Sequence, residues 1–434
     1  MIRKKQKQVP HTSGRNEKKR SKSRCSVFAK CGACSHIDVP YEEQLSIKQG
    51  SMIKLLNTFC YVDKIVGMDD PFHYRCKVNS VLLKRKDGSV VHGNYSEGTH
   101  RIVPIENCLI EDERADRLIT DTAKLLGDFK IKIYNDRSDF GLVRYLMVRI
   151  GKFTGEMMLV IVTRSPIFPS KNNFIKALLK IHPEVKTVVQ NVNSRSDSMV
   201  LGDRDIVMYG KGYITDELCG MKFRISPRSF YQVNPVQAEK IYKRAIELAD
   251  LKGDEVVIDA YCGTGTIGLI AAAAAGRVIG VELNADAIRD AKKNAEINSV
   301  ENIEFICDDS TKFLEDYAEK GGQADVVLLD PPRAGVGDAL IETLKRVKPS
   351  RIVYVSCNPF SLERDLKKFT EDGEYTVKAI TPYDMFPMTE HVEVVSLLER
   401  MTKRKPDTGI SLSLDMGEYY DIIEKETMNR QKNE

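Results

Sequence analysis

Val256-Val257-Ile258-Asp259-Ala260-Tyr261-Cys262-Gly263-Thr264-Gly265-Thr266-Ile267-Gly268 decides how the C-terminal half of this 434-residue chain folds. A short apolar run ends in a turn of small residues, and the turn opens an alanine-rich segment, Gly265–Ala275, that reads as a helix. The Gly-x-Gly-x-x-Gly spacing lets backbone approach a ligand closely where the helix starts. Working outward, the same rhythm repeats. Arg277–Glu282 leads to a helix at Ala285–Asn298, Ile303–Cys307 to Ser310–Lys320, Asp325–Leu329 to Gly337–Val347, and Arg351–Ser356 to Ser361–Thr370. Strands near Tyr375–Ile380 and His391–Glu399 close the series. This alternation predicts an α/β, Rossmann-like doubly wound parallel sheet with its ligands at the carboxyl ends of the strands.

Upstream, from about Val62 to Met221, the pattern changes to short alternating or β-branched runs broken by turns, such as Ser80–Lys84, Lys86-Asp87-Gly88 and Leu142–Ile150. It predicts an antiparallel, β-rich region with a helix near Asn173–Ile181. Before it, a helix is predicted from about Tyr41 to Phe59, with Leu45, Ile47, Met52, Leu55 and Leu56 as an approximate apolar stripe.

The formal charge of +4, from 66 Lys+Arg against 62 Asp+Glu, is unevenly placed. Residues Met1 to Arg24 hold ten basic side chains and one acid, Glu17, so the remainder of the chain is acidic. Such an arm reads as disordered; it is either a solvated tail or a salt-dependent contact to nucleic-acid phosphates. The longest apolar candidate, Ile267–Ala275, is too short to cross a bilayer, so no membrane partner is expected. The arm lacks the apolar segment of a secretory signal. Ten cysteines then point to the reducing cytoplasm, where clustered cysteines mean metal or catalysis more often than disulfides.

The residues after each strand carry the chemistry. Glu282 ends the second strand, where it can accept hydrogen bonds from ribose hydroxyls; Asp308, Asp309 and Asp330 follow the next two. A dinucleotide brings a pyrophosphate that this acidic set would repel, whereas S-adenosylmethionine carries none, so the set favours S-adenosylmethionine over NAD. Cys357 stands in a polar Ser356-Cys357-Asn358-Pro359 turn at a strand end, placed as a nucleophile would be. Cys60, Cys76, Cys219, Cys262 and Cys307 read instead as small buried hydrophobes. Farther on, Glu390, His391 and Glu393 are candidate bases. Alternation puts His391 and Glu393 on one strand face and leaves the choice between them open.

Cys25, Cys31 and Cys34 place three thiols within ten residues, a strong metal signal whose fourth ligand must come from elsewhere, with Cys76 and Cys108 nearest. Spacing does not separate zinc from an iron–sulfur cluster. The spacing usual in radical S-adenosylmethionine enzymes is absent.

These residues carry a resemblance. The segments Ser229-Phe230-Tyr231-Gln232-Val233-Asn234, Asp259 to Gly265, Leu329-Asp330-Pro331-Pro332-Arg333, Tyr354 to Pro359 and Phe386 to Glu393 resemble, in order, those of the bacterial RNA 5-methyluridine (uracil-C5) methyltransferases. The resemblance implies methylation of C5 of a uridine in RNA, 23S rRNA first and tRNA second, with Cys357 as nucleophile and Glu393 as the base that removes the C5 proton. It implies S-adenosylmethionine contacts from Gln232, Tyr261, Thr266, Glu282, Asp309 and Asp330. A Tyr41-x-x-Gln44-Leu45 helix and the Asn107-Cys108-Leu109 turn extend it, implying a [4Fe–4S] cluster on Cys25, Cys31, Cys34 and Cys108.

The expected organisation is a basic arm at 1–24, a cysteine-cluster and β-rich RNA-binding domain at 25–220 with its first helix packed on the catalytic domain, a methyltransferase domain at 221–400 and a charged extension at 401–434, the whole a monomer. Many members begin with a small β-barrel, and recognition of RNA is expected to fall here to the arm and the β-rich domain. An RNA cytosine-C5 methyltransferase, an NAD-dependent oxidoreductase and a non-catalytic metal-stabilised RNA-binding protein are the alternatives.

Overall fold

The computed structural model describes residues 23–401 apart from 97, 100, 136, 137, 196 and 198. All but the last two residues of the arm, and the extension beyond Met401, therefore lie outside the described residues. Strands β1 (Lys77–Lys84), β2 (Val90–Tyr95), β3 (Ile102–Pro104), β4 (Val143–Ile150), β5 (Met157–Thr163), β6 (Val185–Val192) and β7 (Arg204–Tyr209) form one seven-stranded sheet in the order β3-β2-β1-β4-β5-β6-β7. A hairpin of β8 (Ile214–Leu218) and β9 (Met221–Ile225) follows. The second seven-stranded sheet joins β10 (Val256–Asp259), β11 (Arg277–Glu282), β12 (Ile303–Cys307), β13 (Val326–Leu329), β14 (Arg351–Ser356), β15 (Tyr375–Tyr383) and β16 (Glu393–Arg400) in the order β12-β11-β10-β13-β14-β16-β15.

Two details correct the sequence reading. The first sheet is mixed, because β5 and β6 run parallel across a helical crossover, while its other pairs are antiparallel. In the second sheet β16 runs antiparallel to both β14 and β15. The short connection from Tyr383 to Glu393 contains no helix to carry the chain over the sheet, so the strand returns beside its neighbour.

The helices are α1 (Phe28–Cys31), α2 (Tyr41–Leu56), α3 (Glu113–Asp128), α4 (Lys171–Ile181), α5 (Pro235–Ala249), α6 (Thr266–Ala272), α7 (Ala285–Asn298), α8 (Ser310–Glu319), α9 (Asp338–Val347) and α10 (Pro359–Thr370). Helix α3 was not read from the sequence, although Asp112 caps it and Ala115, Leu118, Ile119, Ala123 and Leu126 form its buried stripe. Helix α2 also differs from expectation. It buries Gln44, Lys48, Met52 and Leu56, one turn apart, and leaves Ile47 exposed. Its polar inner positions work because they find partners, as described below.

Helices cover both faces of the second sheet. Val257 and Ile258 of β10 are fully buried in opposite layers, as expected for a central parallel strand. One layer continues into the first sheet, where Val81, Tyr145 and Met147 share a core with Tyr231, Ile241 and Val257. Capping then sets the ends of the helices nearest the strand tips. Asn234 caps α5 ahead of Pro235, Asn284 caps α7, Asp309 caps α8, and Asn358 caps α10 ahead of Pro359. Gln232, Asp309 and Cys357 are in or beside these caps.

Candidate active site

The loop after β10 is shaped by its glycines. Gly265 has φ +81°, and a Cβ there would lie 2.7 Å from the Phe305 ring, so only glycine fits. Beneath it the buried Asp259 accepts from Gly268 N at 2.9 Å, while its other oxygen has no hydrogen-bond partner. Burial pushes this carboxyl up to about 7, and the charges of Asp330 and Glu282 add to the shift. Glu282, at the end of β11, accepts from Gly263 N at 3.3 Å and from Asn284 N at 2.8 Å.

The adjacent acids differ in use. Asp308 pairs with Lys312 at 3.5 Å, whereas Asp309 caps α8 through Thr311 N and Lys312 N. The charge of Asp309 also reaches the Tyr261 hydroxyl, which burial and that charge push up to about 12. Thr266 begins α6, and its hydroxyl is 3.4 Å from that of Thr264. Asp330, one residue past β13, keeps some accessible surface at the foot of the cleft yet is walled by protein, and this desolvation pushes its carboxyl up to about 7.

Two residues absent from the sequence reading complete this side. Buried Arg149 of β4 donates to the carbonyls of Ser226 at 2.7 Å, Ser229 at 2.6 Å and Pro227 at 3.4 Å, fixing the segment that leads to Gln232. Tyr242 lies buried beside the Gln232 side chain and within reach of the charges of Asp330 and Glu393, and burial first of all pushes its hydroxyl well up. Neither could be found from local sequence, since Arg149 looks like any strand arginine and Tyr242 like any helix core residue.

Cys357 and Glu393 come together through strand pairing. Ser356 is opposite Val394, so the next residues outward are Cys357 on one strand and Glu393 on the other. Glu393 is only 5% exposed, and burial together with the charge of Asp330 pushes it up to about 8, against the opposing pull of Arg333. Burial and then the same two acids push the Cys357 thiol up to about 11, again opposed by Arg333. His391 does not share this position. It is an exposed residue before the strand begins, with Nδ1 3.1 Å from an Arg333 guanidinium nitrogen, and it titrates low because of burial and that cation.

The family described as tRNA (uracil-5-)-methyltransferase matches residues 40–401. The chain belongs to that family. Uncharacterized RNA methyltransferases of Halalkalibacterium halodurans and Oceanobacillus iheyensis are each 42% identical to it, over 86% and 85% of this chain and 82% and 81% of their own lengths. The solved structure of Pyrococcus abyssi tRNA (uracil-54, C5)-methyltransferase in complex with S-adenosyl-L-homocysteine matches with a TM-score of 0.70 at 30% identity, covering 83% of this chain and 84% of that one. The second sheet of this uracil-5-methyltransferase family member is thus an S-adenosylmethionine-dependent methyltransferase fold. Glu282, at the end of β11, is a carboxylate able to accept from hydroxyls, with the raised carboxyls of Asp259 and Asp330 near it.

Of the cysteines, Cys25, Cys31, Cys34 and Cys108 line one cavity, with Phe28, Ile37 and Ile110 among its apolar walls. Burial and the two neighbouring thiols push Cys34 up to about 11. Cys76 is buried elsewhere, with Sγ 3.5 Å from the Tyr74 carbonyl. Four thiols on one mostly apolar cavity fit a thiolate-ligated centre in kind. Among the described residues, however, no group of three or more His, Cys, Asp or Glu side chains is arranged to hold a metal ion, so a closed site is not formed. Three of the cysteines read as buried depart from that reading: Cys307 is exposed, and Cys60 and Cys219 are only half-buried. No helix among the described residues is long and apolar enough to cross a membrane.

Proposed function

We propose that the protein methylates C5 of a uridine in RNA, in 23S rRNA before tRNA, through a covalent adduct between Cys357 and C6 of the base. The observation that carries this reading is that Cys357 and Glu393 lie one residue beyond the Ser356–Val394 pair, within reach of each other's charge and of Asp330. The other candidate, His391, lies outside this arrangement and is engaged with Arg333. C5 of uracil is a poor nucleophile. Addition of the Cys357 sulfur to C6 shifts the ring electrons to C5, which then bonds to the incoming methyl carbon. S-adenosylmethionine, when bound, would supply that methyl on a positively charged sulfur that keeps the electron pair of the broken S–CH3 bond and leaves as a neutral thioether. Cys357 adds as the thiolate after giving its proton to solvent.

Glu393 next takes the C5 proton. The C–H electron pair forms the C5=C6 double bond, and Cys357 leaves with the electrons of the C6–S bond. The remaining residues orient. Gln232, Tyr261, Thr266, Glu282, Asp309 and Asp330 are assigned to the cofactor, and Arg333 offsets negative charge at Cys357 and Glu393. The base has to leave its stack to reach a buried carboxylate. Cys25, Cys31, Cys34 and Cys108 would hold a [4Fe–4S] cluster with a structural role, since methyl transfer moves no electrons.

Incubation with separate 23S rRNA and tRNA lacking 5-methyluridine, followed by mapping of the new base, tests the assignment. Modification of 23S rRNA supports it in full. Modification of tRNA alone, in line with the Pyrococcus abyssi tRNA (uracil-54, C5)-methyltransferase, corrects the substrate, and 5-methylcytidine instead would overturn the chemistry.

A further inference from the structure

The turn that carries Glu393 is held from the cysteine-rich segment. Met388, five residues earlier, has a left-handed backbone with φ +68°, a conformation that side-chain-bearing residues rarely adopt and that their surroundings must maintain. Its carbonyl accepts from Ser35 N and His36 N, both at 3.0 Å, immediately after Cys34. Its N–H donates to Gln44 Oε1 at 3.0 Å. Gln44 Nε2 donates back to the carbonyls of Val39 at 2.8 Å and His36 at 3.1 Å, and lies 3.2 Å from Met388 Sδ. Gln44 has no exposed surface, so water cannot replace these bonds. His36 adds a second tie, with Nδ1 3.2 Å from the Thr389 carbonyl.

One buried amide thus bridges the residues after the cysteine triplet to the peptide whose torsion directs the chain into β16. We propose that Gln44 is a positioning residue for Glu393, so that order in the cysteine segment sets the placement of the proton-abstracting carboxylate. This rests on the reading of Glu393 as the base. Cys357 follows β14 and precedes the Asn358 cap, and although β14 pairs with β16, the bonds that hold β14 and that cap involve neither Gln44 nor Met388. Losing Gln44 should therefore slow the last step, transfer of the C5 proton to Glu393 with release of Cys357, while addition of the thiolate continues.

The full-length Gln44→Ala and His36→Ala proteins are tested in single turnover with RNA and S-adenosylmethionine, following formation and decay of the protein–RNA adduct on denaturing gels. In Gln44→Ala the adduct forms at the parental rate and decays roughly 10- to 100-fold more slowly, the scale of a misplaced catalytic group. His36→Ala shows a smaller delay in the same direction. A general loss of structure would lower formation and decay together, so decay at the parental rate, or parallel loss of both, overturns the inference. Should Gln44→Ala not fold, the half-buried His36 site decides, because its substitution removes only the Thr389 tie. A parent protein that methylates RNA without forming any adduct would overturn the base assignment and this inference with it.

Discussion

Cys357 and Glu393 are cross-strand neighbours, one residue beyond the pair Ser356–Val394 that ends the antiparallel register of β14 and β16. The relationship brings together a thiol just past the end of β14 and a carboxylate that begins β16, from positions far apart in sequence. Burial first, and then the charge of Asp330, pushes both groups up, and the charge of Glu393 adds to the shift at Cys357.

Because the Glu393 carboxyl is pushed up to about 8, it is mostly protonated below that pH and available as a base above it. The single-turnover rate of adduct decay should rise with pH and level off above about 8. Arg333 pulls Glu393 and Cys357 downward, so Arg333→Gln should move the rising limb to higher pH and lower the rate at pH 7 by about threefold, with little change at pH 9. A pH profile unmoved by Arg333→Gln would contradict this.

Stability should respond to the same acids. Asp259 and Asp330, raised to about 7, and Glu393, raised to about 8, hold protons in the folded state that they release in the unfolded state between about pH 4 and those values. Their contribution to stability therefore falls as pH rises through this window. Thermal denaturation of Asp330→Asn should show a smaller loss of Tm between pH 6 and pH 8 than the parent. An equal loss in both proteins would remove Asp330 from the linkage.

Lys48 and Asp384 form an ion pair at 2.6 Å with 2% and 0% side-chain exposure, and Lys48 also donates to the Phe386 carbonyl at 3.2 Å. Lys48→Met strands a buried carboxylate and should destabilise the protein by about 3–5 kcal/mol in denaturant unfolding. The double variant Lys48→Met/Asp384→Leu should recover much of that loss. A single variant as stable as the parent would show that the pair is not closed in solution.

Protein purified without air should contain iron and acid-labile sulfide in equal amounts, with a broad absorbance in the visible range, and Cys108→Ser should lose most of both. Zinc in place of iron would retain the four-thiol site and exclude the cluster.

Much of the doubly wound half was legible because each strand and helix there follows its own local periodicity, and the caps Asn234, Asn284, Asp309 and Asn358 are readable as residues. The reversal of β16 was not, since pairing direction depends on how the nine residues between Tyr383 and Glu393 turn rather than on alternation within the strand. Helix α3 was hidden by its many charges, though its apolar spacing was present. Cys357, the acids and Cys25, Cys31 and Cys34 could be named from strand ends and spacing, while Cys108 was named only as what the family resemblance implies. Gln44, Lys48, Arg149 and Tyr242 act through partners distant in sequence, and only the fold reveals what they hold.

The most direct test compares Cys357→Ala with Glu393→Gln under denaturing conditions after incubation with RNA and S-adenosylmethionine. The account predicts that Cys357→Ala yields neither adduct nor 5-methyluridine, and that Glu393→Gln accumulates an adduct already carrying the methyl group. Normal methylation by Cys357→Ala would contradict it.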